Sequence, residues 1–90
     1  MDKPFQIHII TPEQAVYQGA ITSLIAPSSL GYFGVWANHA PLITDIARGN
    51  ITLRESAGKT KVFRSKGKGF LEVIKNKATL LLDCLPSLAE

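Results

Sequence analysis

Apolar and polar residues alternate along most of this chain, and the alternation is interrupted at short intervals. Phe5-Gln6-Ile7-His8-Ile9-Ile10 puts Phe5, Ile7 and Ile9 on one face, the pattern of a half-buried strand. His8 then lies on the other face with Gln6, exposed or at an interface. Thr11-Pro12-Glu13 ends the strand. Ala15 to Gln18 reads as a short strand, with Gly19 allowing a turn or bulge. Ile21 to Ala26 is apolar on both faces and suits the interior of a sandwich. Pro27-Ser28-Ser29 is a loop.

The stretch from Gly31 to Thr44 holds the only tryptophan and two of the seven glycines. Gly31 and Gly34 permit positive φ or close backbone approach, which bends an extended chain. Asn38-His39-Ala40-Pro41 reads as a turn, because Asn tolerates the left-handed region and Pro41 drives Ala40 to an extended shape. A strand over Leu42 to Ile46 follows. Alternation sets Tyr32, Gly34 and Trp36 on one face and Phe33 and Val35 on the other. Tyr32 is expected to be exposed and Trp36 mostly buried, since tryptophan is usually largely covered.

Arg48-Gly49-Asn50 turns the chain into a half-buried strand carrying Ile51 and Leu53, and Glu55 to Lys59 is a hairpin loop. Thr60 to Ser65 returns as a strand, Lys66 to Gly69 is a corner, and Phe70 to Ile74 is a strand. Lys75-Asn76-Lys77 is a tight turn before the last strand, Ala78 to Cys84. Its consecutive Leu80, Leu81 and Leu82 predict cover on both faces. Turn signals recur about every eight to twelve residues, which argues for an all-β sandwich or barrel in one domain over residues 1–90.

Hydrophobic residues form 46% of the chain, enough for a core in a domain of this size. The single Cys84 excludes an internal disulfide framework and reads as a buried, inert thiol. No apolar run approaches the ~20 residues of a membrane-spanning helix. The net charge is +3, and Arg54, Lys59, Lys61, Arg64, Lys66 and Lys68 gather six of the ten basic residues into one window. Such a window meets phosphate or an acidic partner, or it is the solvated face of a hairpin whose lysines protect an edge. The second reading is the plainer one.

No catalytic constellation stands out. His8, His39, Asp83 and Cys84 lack zinc-ligand spacing. Gly67-Lys68-Gly69 lacks the Walker spacing and a following helix. Ser28 and Ser29 have no nucleophile-elbow context. His39 has no visible partner as a general base, and a corner histidine bonded to backbone is the plain alternative. No catalytic residue, metal or cofactor is expected.

The gapless run Gly31-x-x-Gly34-Val35-x-x-x-His39-Ala40-Pro41-Leu42-Ile43-Thr44 resembles the epsilon subunit of F-type, proton-translocating ATP synthases. The opening strands with Thr11-Pro-Glu-Gln and Val16-Tyr-x-Gly19, and the closing Gly69-Phe-Leu-Glu-Val73, are similar as well. The resemblance implies a flattened antiparallel β-sandwich or barrel of about eight to ten short strands. It also implies a non-catalytic central-stalk subunit that binds the gamma subunit and docks on the membrane c-ring, coupling ion flow to ATP synthesis. Gly31, Tyr32, Gly34 and His39 are then the ring-facing candidates. Peripheral association with the cytoplasmic side of a bacterial inner membrane would follow. Two departures qualify the likeness. Many members carry a carboxylate between the two glycines, where this chain has Tyr32 and Phe33, so docking would rest more on packing than on charge. The family usually continues into an inhibitory helical hairpin, which is absent from these ninety residues, as expected of a short form.

The alternative is a small basic β-barrel binding single-stranded nucleic acid through Arg54 to Lys68. It lacks exposed aromatics there, Phe63 being a core candidate. A small enzyme using His39 is the third reading, and nothing in the sequence asks for it.

Overall fold

A computed structural model of the protein describes residues 3–89. It contains nine strands in chain order: β1 (Phe5–Ile10), β2 (Ala15–Ser28), β3 (Gly31–Val35), β4 (Leu42–Ile46), β5 (Gly49–Glu55), β6 (Thr60–Ser65), β7 (Gly69–Ile74), β8 (Lys77–Leu82) and β9 (Ser87–Leu88). They pair in the order β4-β7-β8-β1-β2-β5-β6-β9, with β3 also on β2. A single flat sheet is only about 10 Å thick, whereas the shortest dimension of the molecule is 22 Å. The sheet is folded over on itself. β4, β7, β8, β1 and the first half of β2 form one layer, and the rest of β2 with β3, β5, β6 and β9 forms the other. The inward residues of both layers meet in one core that includes Ile7, Ile21, Leu24, Leu53, Leu71 and Leu80. The all-β expectation holds.

Three features depart from the sequence reading. First, the two strands expected over 15–26 are one fourteen-residue strand. Gly19 does not turn; it sits in the ladder opposite Ile7, and a Cβ there would lie 3.2 Å from the hydroxyl of Tyr17, whose ring covers it. The bend comes instead at Thr22, where the register with β5 slips between Ile21 and Ser23. An extra residue on one strand bends it and raises its twist, and this lets β2 serve both layers. Second, the sheet is not wholly antiparallel: β1 and β8 run parallel, joined through the other layer rather than by a hairpin. Third, Leu81 and Ile25 are exposed while their neighbours Leu80, Leu82, Leu24 and Ala26 are buried. Consecutive apolar residues thus mark an uncovered outer face rather than a strand covered twice.

The chain end, too short for a helix, adds β9 to β6 through Phe63–Leu88 and Arg64–Ser87. Cys84 lies half-buried in the bend after β8 rather than in the core. Across the layers' shared seam, the Tyr17 hydroxyl donates to a Glu55 carboxylate oxygen at 2.5 Å. Its ring meets Phe63 edge to face at 5.9 Å, a favoured aromatic geometry.

Candidate functional site

β2 and β3 join through the two-residue loop Ser29-Leu30. Gly31 adopts φ +118, a conformation that favours glycine. The Ser28 hydroxyl accepts from the Leu30 amide at 3.2 Å and donates to the Gly31 carbonyl at 2.7 Å, closing the loop. Leu30 is 98% exposed at the tip. Asp45 of β4 holds the tip from the other side: its carboxylate accepts from the Ser29 amide at 2.9 Å and the Ser29 hydroxyl at 3.1 Å.

Tyr32 points outward from β3, as alternation requires. Its hydroxyl accepts from the Asn50 amide at 3.0 Å and lies beside Gly49. A Cβ at Gly49, whose φ is +149, would sit 2.5 Å from that hydroxyl. Tyr32 is still 60% exposed, so its hydroxyl is anchored while much of the ring is open to a partner. Trp36 is not core: it is 52% exposed. Its indole turns the Cζ3–Cη2 edge of its six-membered ring toward Gly34, where a Cβ would be 2.5 Å from Cη2. Gly34 is not among the positive-φ glycines; it is small because the indole needs the space. A bare glycine in a strand covered by an aromatic neighbour restores the packing that the missing side chain leaves out.

The turn after Trp36 carries Asn38 at φ +65. His39 is half-buried at the corner, with Nδ1 2.7 Å from the Ala40 carbonyl, so the backbone-bonded corner histidine is realised. Asn38 is tied to the β7–β8 turn by Asn76. The Asn38 amide donates to Asn76 Oδ1 at 2.6 Å, and Asn76 Nδ2 donates to Asn38 Oδ1 at 3.1 Å.

Gly31, Tyr32, Gly34 and His39 all line one groove of about 340 Å³, together with Leu30, Phe33, Leu42 and Thr44. β3 pairs only with β2, and β4 only with β7. The groove runs between these two strands, each of which keeps one edge without a strand partner among the described residues. They form an opened hairpin, pinned at one end by Ser29–Asp45 and at the other by Asn38–Asn76. The arrangement offers a partner a phenol face, an apolar tip, free strand edges and an imidazole. It offers no acid–base pair, for the hydrogen bond of His39 goes to a carbonyl. Among the described residues no three of His, Cys, Asp and Glu gather as a metal site.

Two further surfaces matter. The outer faces of β4, β7 and β8 expose Ile43, Phe70, Ile74 and Leu81, and a larger groove of about 720 Å³ opens beside Phe70 and Leu81. None of the four ring-facing candidates lines that groove. The only signal for that surface was the run of apolar neighbours in the strands concerned. The basic window is solvated: Arg54, Lys59, Arg64, Lys66 and Lys68 are exposed and Lys61 half-exposed. Phe63, its one aromatic, is buried, which leaves no stacking platform for bases.

Residues 4–85 match the family described as the ATP synthase delta/epsilon chain β-sandwich domain. The chain is 39% identical over 82 residues to an ATP synthase epsilon chain of Chlorobium limicola, covering 91% of this chain and 92% of that one. It is 35% identical over 83 residues to the epsilon chain of Dichelobacter nodosus, covering 92% of this chain but only 57% of the relative. Among solved structures it resembles a chain in the Euglena gracilis mitochondrial ATP synthase OSCP/F1/c-ring assembly. The TM-score is 0.82 at 16% identity, over 92% of this chain and 53% of that chain. At that identity the likeness is one of fold.

Proposed function

Because this chain belongs to the ATP synthase delta/epsilon β-sandwich family, we propose that it is a non-catalytic subunit of the central stalk of a rotary ATP synthase. In this reading it binds the gamma subunit and seats on the c-ring, so that ion-driven rotation of the ring turns the stalk. This subunit would lie peripherally on the cytoplasmic side of a bacterial inner membrane, held there through the complex.

The observation that carries the proposal is the gathering of Gly31, Tyr32, Gly34 and His39 on one groove at one end of a stiff sandwich. A torque-transmitting clamp needs rigidity and two contact surfaces, not a nucleophile. The single core supplies the first. The groove is assigned to the c-ring. The exposed apolar residues of β4, β7 and β8 are assigned to gamma, since a contiguous uncovered apolar face on a small domain marks a partner surface. Tyr32 and Trp36 would contribute aromatic contact area at the ring end, the residue types that commonly anchor interfaces.

Membranes depleted of the subunit test this. Adding the wild-type protein is expected to restore ion pumping coupled to ATP hydrolysis. A Tyr32→Ala/His39→Ala double variant, folded by its melting curve, is expected to restore it poorly. Equal restoration by both proteins would remove the groove from the ring interface.

A further inference from the structure

Among the described residues the corner that carries His39 has no strand partner beside it, yet side-chain hydrogen bonds tie it to another hairpin. We propose that Asn76, on a different hairpin, is the positioning residue for this corner, acting through a reciprocal amide latch with Asn38. The inference rests on the docking role proposed above only for its functional consequence; the latch itself is a matter of local geometry.

Asn38 and Asn76 are 38 positions apart in the chain, and both occupy the left-handed region, with φ +65 and +61. Asparagine adopts that region more readily than most residues. Each therefore serves its own turn through its backbone and leaves its carboxamide free. The two carboxamides are then spent on one another. Asn76 Oδ1 accepts the Asn38 amide at 2.6 Å, and Asn76 Nδ2 donates to Asn38 Oδ1 at 3.1 Å. The Asn76 carbonyl also accepts the Gln6 amide at 3.0 Å, so the β7–β8 turn is itself fixed to β1. The corner is thereby referred to the layer of β1, β7 and β8. His39 directly follows Asn38, and its ring bonds the next carbonyl. Its placement in the groove thus depends on a side chain that does not line the groove.

The latch can be removed without harming either turn. Asn76→Gly keeps a residue suited to positive φ and deletes only the carboxamide. Asn76→Asp keeps an acceptor for the Asn38 amide, and the Asn38 carboxamide can rotate to donate to the second oxygen. Hydrogen exchange in the isolated domain is the direct readout. In Asn76→Gly the Asn38 amide is expected to exchange roughly tenfold faster, as the loss of a hydrogen bond worth about one decade in opening predicts. Amides of the core strands should exchange unchanged, and Asn76→Asp should restore most of the protection. Unchanged exchange at Asn38 in Asn76→Gly overturns the latch, whatever the partner. Core amides accelerating in parallel with Asn38 also overturns it, because Asn76 would then act on global stability.

Binding to a detergent-purified c-ring completes the test. Asn76→Gly is expected to weaken binding about as much as His39→Ala, and Asn76→Asp to bind like the wild type. If the exchange result holds but His39→Ala itself binds normally, the docking reading is what fails, and the latch is judged by exchange alone. If His39→Ala weakens binding and Asn76→Gly does not, the positioning role is wrong.

Discussion

Replacing Gly34 with alanine sets a Cβ 2.5 Å from Trp36 Cη2, so the indole must swing off the strand. Because it is already half exposed, the expected loss of stability is small, below about 1 kcal/mol. The tryptophan emission should move to longer wavelength, and unchanged emission would contradict the placement of the indole over Gly34. Gly49 is different. Alanine there meets both a φ of +149 and the seated Tyr32 hydroxyl, and should cost roughly 1–3 kcal/mol in a denaturant titration. Tyr17 supplies a pH prediction. Burial first, then the hydrogen bond and the charge of Glu55, push its phenol up to about 12 from 10.0. A raised pKa means that the folded state holds its proton longer. The contribution to stability is therefore complete below pH 10 and lost as pH rises from there toward about 12. In an ultraviolet titration one of the two tyrosines should ionise late, and Tyr17→Phe should abolish that late phase.

Among the strands, β8 offers the sharpest contrast. Leu80 is fully buried and Leu81 is half exposed. Leu80→Ala should cost about 2–5 kcal/mol, whereas Leu81→Lys should leave the melting temperature almost unchanged and weaken gamma binding if that face is covered. The same strand shows what was legible beforehand. Period-two alternation located seven of the nine strands to within about two residues, all but β2 and β9, because each break carries its own turn chemistry: Thr11-Pro12, Glu55 to Lys59, and Lys75-Asn76. Alternation reports a residue's neighbours on the same face, but not whether a second layer lies beyond it. For that reason Leu81 and Ile25 were expected to be covered, whereas Trp36 was expected to be core because tryptophan is usually largely buried. The long β2 escaped for a related reason. Gly19 is a strand residue because Tyr17 covers it, and the true bend at Thr22 is a register slip against β5, a strand thirty residues away. The four ring-facing candidates were named from a contiguous motif, and one groove brings all four together. The ties that shape the groove, Ser29–Asp45 and Asn38–Asn76, are long-range pairs of ordinary polar residues with no local signature.

At the scale of the whole molecule, one folded-over sheet with a single core makes a compact, stiff body with distinct surfaces at its end and along its outer face. Stiffness follows from topology: β2 belongs to both layers, so neither can shear without breaking its ladder. On the reading proposed above, such a body would transmit force between a partner bound at the groove and one covering β4, β7 and β8. The measurement that bears most directly on this is calorimetric titration of the purified domain with the gamma subunit from the same source. The account predicts a one-to-one complex, with a large negative heat-capacity change from burial of the apolar face. It also predicts weaker binding by Leu81→Lys and unaltered binding by Tyr32→Ala, whose side chain it assigns to the other interface. Absence of a complex, with both proteins folded, would contradict the central-stalk role.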